Sequence, residues 1–269
     1  MADRLTLTLP RWASGALVIG DIHGQAALLE KLSELAEQEH LLVVSLGDLV
    51  DRGPDNAGAV RLMLRLIDGG RGLFIRGNHD DKLFRTLKGN PTIVDGDLAV
   101  TIEQLDAAAD GKSLKRRFCD AYKSAPFVVV LGNTVLVHGA MAPAMLRTKS
   151  LPRKLRSLAL YGEATSDEVR RKPVRTYRWL ASVPAGKTVI IGHHPISDAT
   201  ILTRENAAGG KLIHLDCGAG KGRGLGALRL DKQGSVEAAC RAILEGTSIR
   251  LVAAAIQPST DVAESSKIG

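Results

Sequence analysis

Three apolar runs in the first third of the chain each end at a glycine and pass straight into a short polar cluster, and this recurrence restricts the fold more than any other feature. Ala16 to Gly20 leads into Gly20-Asp21-Ile22-His23-Gly24, Leu41 to Leu46 into Gly47-Asp48-Leu49-Val50-Asp51-Arg52-Gly53, and Arg71 to Arg76 into Gly77-Asn78-His79-Asp80. Between them, Leu28, Leu29, Leu32, Leu35 and Ala36 recur at helical spacing, as do Val60, Met63, Leu64 and Ile67. A further helix is predicted from about His79 to Leu87. Strands alternating with helices in this way imply βαβ crossovers and a mainly parallel sheet. The loops at the C-terminal ends of such strands share one edge, where ligands bind, so the three clusters are predicted to converge.

Past this region, residues 95–123 read as a helical cap or insertion, with Ile102, Leu105 and Ala109 on one face. Short apolar strands follow at Phe127 to Leu131, Val135 to His138, Thr188 to Ile191, Lys211 to Leu215 and Leu225 to Leu230. Residues 1–256 are expected to form one domain and residues 257–269, rich in Ser, Thr and Asp, a mobile tail. With 269 residues, 45% hydrophobic and 24% charged, the chain can bury a substantial core, which excludes a disordered protein. Its longest apolar stretches, such as Leu251 to Ile256, fall well short of the roughly 20 residues that span a bilayer. Lacking the charged start and continuous apolar run of a signal peptide, it is expected in the cytoplasm. Cys119, Cys217 and Cys240 are odd in number and form no CxxC pair, so they are expected to be reduced.

Asp21 and His23 stand two residues apart, so in extended backbone their side chains leave on the same side, offering one oxygen and one nitrogen to a single metal ion. His138 and His193 each follow an apolar run and sit beside a glycine. Two carboxylates (Asp21, Asp48), one amide oxygen (Asn78) and three imidazoles (His23, His138, His193) exceed the ligand set of one tetrahedral ion. They suit two borderline divalent metals, with manganese placed first and iron, cobalt, nickel or zinc as alternatives. Taken singly, Asp48 or Asn78 would be a helix N-cap and His138 a satisfied core histidine. Five polar clusters that each follow an apolar strand make those separate readings jointly improbable.

The ordered set GDIHG, GDLVDRG, GNHD, VHGA and GHHP resembles the signature of the calcineurin-like metallophosphoesterases, in the arrangement of the phosphoprotein phosphatase branch, over about Leu17 to Leu230. Within that superfamily the chain looks similar to the phosphatase module of bacterial polynucleotide kinase-phosphatases, through GDLVDRGPDNAGAVRL, RGNHDDKLFRTLKGN, LALYGE and VRTYRWL before GHHP. The resemblance implies an α/β fold with a two-layered mixed β core flanked by helices. It also implies that Asp21 and His23 hold a first metal, that Asp48 bridges, and that Asn78, His138 and His193 hold a second. By the same carry-over, His79 donates a proton to the leaving oxygen, Asp51 orients it, and Arg52, with Asn78, binds a phosphate oxygen. Asp80 stands where many protein phosphatases have Glu, and His194 where Thr is common.

The expected chemistry is one-step hydrolysis of a phosphoester, without a phosphoenzyme. Three substrates compete: a nucleic-acid or nucleotide phosphate end, a phosphoprotein carrying phosphoserine or phosphothreonine, and a dinucleoside tetraphosphate. A fourth reading, from a different class, is a non-catalytic regulatory module, against which stands the complete set of ligands and acid. The region from Lys112 to Arg178 holds 15 Lys or Arg against 4 Asp or Glu, which favours anionic partners and supports the nucleic-acid reading. Arg175 and Arg178 are candidate substrate contacts, and the glycine-rich stretch from Gly218 to Gly226, lacking G-K-[ST], is expected to be a loop beside the site rather than a P-loop. For the same reason any kinase or ligase partner would have to be on a separate chain, and the sequence does not say whether there is one.

Overall fold

The computed structural model describes residues 2–169, 172–195 and 200–259. The strands are β1 (Arg4–Thr6), β2 (Gly15–Ile19), β3 (Leu41–Ser45), β4 (Gly72–Phe74), β5 (Val128–Leu131), β6 (Thr134–Val137), β7 (Glu163–Val169), β8 (Lys172–Thr176), β9 (Thr188–Ile191), β10 (Ile201–Glu205), β11 (Lys211–His214), β12 (Leu225–Leu230), β13 (Val236–Glu245), β14 (Ser248–Ala253) and β15 (Ile256–Pro258). The helices are α1 (Ala26–Gln38), α2 (Asn56–Asp68), α3 (Asn78–Leu87), α4 (Gly96–Ala107), α5 (Gly111–Ser124) and α6 (Arg153–Tyr161). None is long and apolar enough to cross a membrane.

Two mixed sheets form the core. One runs β14-β13-β12-β2-β3-β4 and the other β1-β5-β6-β9-β11-β10-β15, while β7 and β8 pair as a separate hairpin. Strands β2, β3 and β4 are parallel, as are β6, β9 and β11. Hairpin connections make β12, β13 and β14 antiparallel, so the first sheet is parallel only in the half the βαβ pattern announces.

The strand period of two decides the layering. In β2 and β3, Leu17, Ile19, Leu41 and Val43 face the helices, whereas Ala16, Val18, Leu42 and Val44 pack between the sheets. In β6 and β9, Leu136 and Ile190 meet them there, and Val135, Val137, Val189 and Ile191 turn outward to a third cluster that holds Ala159 and Leu160 of α6. Each such side chain, fully buried, stabilises the fold by about 1.5–3 kcal/mol. The outcome is helices, sheet, sheet, helices, with every central strand covered on both faces.

Residues 95–123 form two helices rather than one, broken at Ala108 to Asp110. Leu98, Leu105, Leu114, Phe118 and Tyr122 join the same core as Met63 of α2 and Leu83 of α3, so the insertion is fastened along the helical face of the first sheet. Strand β13 carries Ala- and Glu-rich sequence with no strand signal; it is held extended by pairing with β12 and β14 on either side. At the C-terminus, Gln257 and Pro258, assigned to the tail on composition, instead pair with Leu202 and Thr203 in β15; residues 260–269 of that tail lie outside the described residues.

Phe118 is the buried anchor of α5, with 1% of its surface exposed. Phe118→Ala should destabilise the protein by about 3–5 kcal/mol in urea unfolding, the range for a large aromatic removed from a packed core. A loss below about 1 kcal/mol would mean that the insertion packs loosely and does not belong to the cooperative core.

Candidate active site

Six strands deliver polar residues to one edge. Asp21 and His23 follow β2, Asp48, Asp51 and Arg52 follow β3, and Asn78 and His79 follow β4; His138, His193 and Asp216 follow β6, β9 and β11. The chain turns there in a conformation that side chains resist. His23, Asp48, Asp51, Arg52 and His193 all have left-handed backbone, with φ from 46° to 72°, and among the described non-glycine residues only His40 shares it. Backbone hydrogen bonds hold these turns against each other: Ile22 and His23 N–H donate to Asp48 O at 3.0 and 2.8 Å, and Gly24 N–H to Leu49 O at 2.8 Å. Glycine is required where carboxylates press on backbone. A Cβ at Gly192 would stand 2.0 Å from Asp21 Oδ1, and one at Gly77 would stand 2.2 Å from Asp48 Oδ1.

The nine residues singled out from the sequence are gathered at this edge. Ligand atoms of Asp48, His138 and His193 lie within 4.8 Å of one another, and so do those of His23, Asp48 and His79; Asp48 is common to both groups. Asp21 sits behind them, with Oδ2 3.9 Å from His23 Nε2 and Oδ1 3.9 Å from His138 Nδ1. Both its oxygens accept the His193 N–H at 3.0 Å.

The tautomers show what this arrangement requires. His138 Nδ1 is 2.9 Å from the Leu46 carbonyl, which can only accept, so Nδ1 carries a proton and Nε2 is the atom left to take either a second proton or a metal ion. That atom faces Asn78 Oδ1 at 2.9 Å, His193 Nδ1 at 3.2 Å and Asp48 Oδ2 at 3.4 Å. His23 repeats the pattern: Nδ1 donates to Val50 O at 2.9 Å, and Nε2 faces Asp48 Oδ2 at 3.8 Å. Acceptors that converge without donors between them need a cation. In the second case Arg52 Nη1 fills the role, at 2.8 Å from His23 Nε2. The donor set therefore fits divalent metal, and it contains no thiolate.

The protonation preferences carry the same demand. Burial opposes charge on His138, yet the facing Asp48 and Asp21 carboxylates push its pKa up to about 10. Burial and Asp216 push Asp21 well above the usual carboxylate range. Burial opposes charge on Asp48 too, but His138 and His79 hold it well below that range. Burial, reinforced by His138, drops His193 to about 2, and burial with Arg52 and His79 drops His23 to about 4 against the pull of Asp48.

Beside the convergent acceptors, His79 Nδ1 donates to Asp51 Oδ2 at 2.6 Å, and Arg52 Nη2 stands 3.0 Å from His79 Nε2. Sequence reasoning missed what holds this pair. Thr101 of α4 donates to Asp51 Oδ1 at 2.5 Å from a fully buried position, and Asp97 of the same helix lies 3.7 Å from Arg52 Nε. Only the tertiary docking of the insertion brings them here. Asp80, read as a departure from the family pattern, accepts from Leu49 N–H at 2.9 Å and Gly77 N–H at 3.3 Å and so ties the second cluster to the third. The glycine-rich loop does lie at the site: a Cβ on Gly220 would come 2.9 Å from both His23 Cδ2 and Arg52 Cδ, and Gln25 Nε2 fastens the loop through Ala219 O at 3.0 Å.

The excess of basic residues between Lys112 and Arg178 is partly answered from outside that stretch. Lys115 pairs with Asp106, Arg117 with Asp68, and Arg156 Nη2 with Asp3 at 2.8 Å. Near His193, Arg175, Lys221 and Arg204 add to burial in lowering the His194 pKa, and none of the three has an ion-pair partner among the described residues.

Residues 16–220 match the model of the calcineurin-like phosphoesterase family. The chain belongs to that family. This phosphoesterase is 32% identical over 202 residues to a bis(5'-nucleosyl)-tetraphosphatase PrpE [asymmetrical] of Bacillus velezensis, a match covering 70% of this chain and 80% of that one. Its counterpart of the same name from Bacillus subtilis is 30% identical over 203 residues, 70% of this chain and 82% of that one. Among solved structures, one provisionally named a diadenosine tetraphosphatase superposes with a TM-score of 0.58 at 22% identity, covering 94% of this chain and 99% of that one. A protein serine/threonine phosphatase from Saccharomyces cerevisiae superposes with a TM-score of 0.53 at 13% identity, covering 91% and 85%. These two likenesses show the fold. The phosphoesterase is thus a hydrolase of phosphoester bonds, with residue groups suited to divalent metal.

Asp80→Ala would leave the buried N–H groups of Leu49 and Gly77 without acceptors, at a cost of about 1–3 kcal/mol each. The expected result is a fall of that size in unfolding free energy, with Asp80→Asn, which keeps one acceptor, falling between. Equal stability of Asp80→Ala and the parent would show that the two turns are held by other contacts.

Proposed function

We propose that this chain is a dinuclear metallohydrolase that cleaves the phosphate chain of dinucleoside polyphosphates, taking tetraphosphates asymmetrically. The observation that carries the reaction is the sharing of Asp48 between two groups of convergent acceptors. Substrate choice is supported by the relatives named as asymmetrical tetraphosphatases, of which the chain covers four fifths. The nucleic-acid reading loses support where Lys115, Arg117 and Arg156 are ion-paired.

Asp21, His23 and Asp48 would hold one metal ion, and Asp48, Asn78, His138 and His193 the other, with manganese placed first among the borderline metals that nitrogen and oxygen donors accept. Two such ions supply Lewis acidity to phosphate oxygens and acidify water into a nucleophile at neutral pH. The chain's own residues do the rest. Arg52 lies against imidazole nitrogens that are weaker acceptors than phosphate oxygen, so an arriving phosphate draws the guanidinium over as a two-pronged donor. That exchange frees His79 Nε2 to take up a proton from solvent, which burial opposes but the Asp48 and Asp51 carboxylates favour, and to pass it to the leaving oxygen while Asp51 fixes the ring through Nδ1. Asn78 offers its amide to the same phosphate. No nucleophilic side chain is called on, so hydrolysis proceeds in one step.

The same proposal includes a cytoplasmic setting, supported by three cysteines that stay unpaired, two of them buried. It also takes the described residues as one catalytic domain, because each sheet draws strands from both ends of the chain.

Stripping metal and adding back Mn, Ni, Zn or Mg singly should restore turnover of a dinucleoside tetraphosphate to a nucleoside triphosphate and monophosphate. His79→Ala should lower kcat by about 10²–10⁴-fold, the range for loss of a general acid, and Asp48→Asn should abolish metal-dependent turnover. Two equal diphosphate products would exclude asymmetric cleavage, and unchanged kcat in His79→Ala would remove the acid assignment.

A further inference from the structure

Arg204, on β10, is a guanidinium without an ion-pair partner among the described residues. Its Nε is buried with no hydrogen-bond acceptor among them, and its Cζ lies 4.7 Å over the Tyr177 ring. The neighbouring carboxylate, Glu205, turns away to Lys211 Nζ at 3.7 Å. Tyr177 is itself propped edge-on against His214, at 4.7 Å and 76°, and both ring nitrogens of His214 are buried without partners among the described residues. Such a stack fixes the direction of the guanidinium while leaving its donors unanswered.

Two more cations stand around the same spot. Arg175, on β8, lines a narrow cleft with Tyr177, His193 and His194, and its only hydrogen bond among the described residues is to the Tyr161 carbonyl. The one carboxylate of that cleft, Glu163, is taken up by Thr176 Oγ1 at 2.8 Å and Trp179 N–H at 3.4 Å. Lys221, exposed on the glycine-rich loop, follows the Gly220 that touches His23 and Arg52, and it has no ion-pair partner among the described residues. The cleft is lined by His193, one of the convergent acceptors.

We infer that Arg175, Arg204 and Lys221 form a subsite for a condensed phosphate chain, holding the phosphates of a nucleoside polyphosphate that lie beyond the one attacked. The inference rests on the hydrolase reading above and specifies what the same site prefers. A single phosphate would be answered by the proposed metals and by Arg52, so three further cations without ion-pair partners among the described residues answer further charge. A phosphoanhydride chain puts successive charges on adjacent phosphorus atoms, matching cations gathered around one histidine. A nucleic-acid backbone separates its charges by a sugar and would call for cations strung along a track. Arginine's planar donors suit the paired oxygens of each phosphate, and Lys221 adds a mobile charge from the opposite loop.

The test compares the parent with Arg204→Gln, Lys221→Gln and the double variant, each checked by thermal melting and assayed with metal in excess. For a dinucleoside tetraphosphate, KM of the double variant should rise at least about tenfold more than KM for an aryl phosphate, as loss of charge-assisted contacts to the distal phosphates requires. Parallel changes in both substrates, or none in either, would overturn the subsite. If the parent hydrolyses the aryl phosphate but not the tetraphosphate, the proposed substrate fails while the subsite is still decided by inhibition. In that case inorganic tripolyphosphate should inhibit the parent more tightly than orthophosphate, and Arg204→Gln should close that gap; equal inhibition by the two anions in the parent would remove the subsite. Preference for a 3′-phosphorylated oligonucleotide over tripolyphosphate, lost in the same variants, would assign the cations to a nucleic-acid backbone and likewise overturn it.

Discussion

Two carboxylates and three imidazoles converge on one small volume at the edge of the sheets, and the rest of the architecture serves that crowding. Asp21, Asp48 and His138 are 2%, 1% and 0% exposed, so their charges cannot be answered by solvent. A like pair of buried carboxylates ordinarily forces one to take up a proton, and Asp21 is pushed in that direction. What keeps the site from closing on itself is the pair of carbonyls, Leu46 O and Val50 O, that pin Nδ1 of His138 and His23. With those protons committed, Nε2 of His138 and Nε2 of His23 are the atoms that face the carboxylates, and a cation there reconciles the set. The same logic explains why Arg52 lies where it does, with its guanidinium between His23 and His79.

Holding such a site needs a frame stiffer than its loops. Left-handed backbone at five non-glycine residues costs on the order of 1 kcal/mol or more at each, and nothing local repays it. The repayment is tertiary. The strands behind these turns are buried on both faces, the turns hydrogen-bond to one another, and Asp80 bridges two of them from beneath. Strain of this kind persists only where the surroundings over-determine it, as they do here from two sheets at once.

Much of this was legible in the chain itself. Unbroken apolar runs at Ala16 to Ile19 and Leu41 to Val44 specify strands with two buried faces, and a glycine beside Asp, Asn or His at the strand ends places the polar groups at one edge. Other parts carry no local signal. β13 reads Val-Glu-Ala-Ala-Cys-Arg-Ala, a pattern with no period of two, and is a strand because β12 and β14 offer it hydrogen bonds on both sides. Thr101 lies 50 residues from Asp51, on a helix whose apolar face could have been docked anywhere. Arg204 and Tyr177 meet across separate elements in the same way. Contacts of this type follow from packing, which a single sequence does not display.

The family shares its metal-gathering edge across many substrates, so specificity in this chain has to come from what stands around that edge. On one side α4 supplies Thr101 and Asp97, which hold Asp51 and Arg52 beside His79 and so bear on the residues proposed for bond cleavage. On the other side the cations near His194 touch none of the groups assigned to the chemistry except by field, and they are free to vary without disturbing it. Under the proposed subsite a substrate with one phosphate would meet only the first side. One with a phosphate chain would span both, so that binding energy gathered at the distal phosphates could orient the phosphorus under attack. The division also accounts for the placement of the glycine-rich loop, whose close approach at Gly220 brings Lys221 to the second side while its backbone packs on His23 and Arg52 of the first.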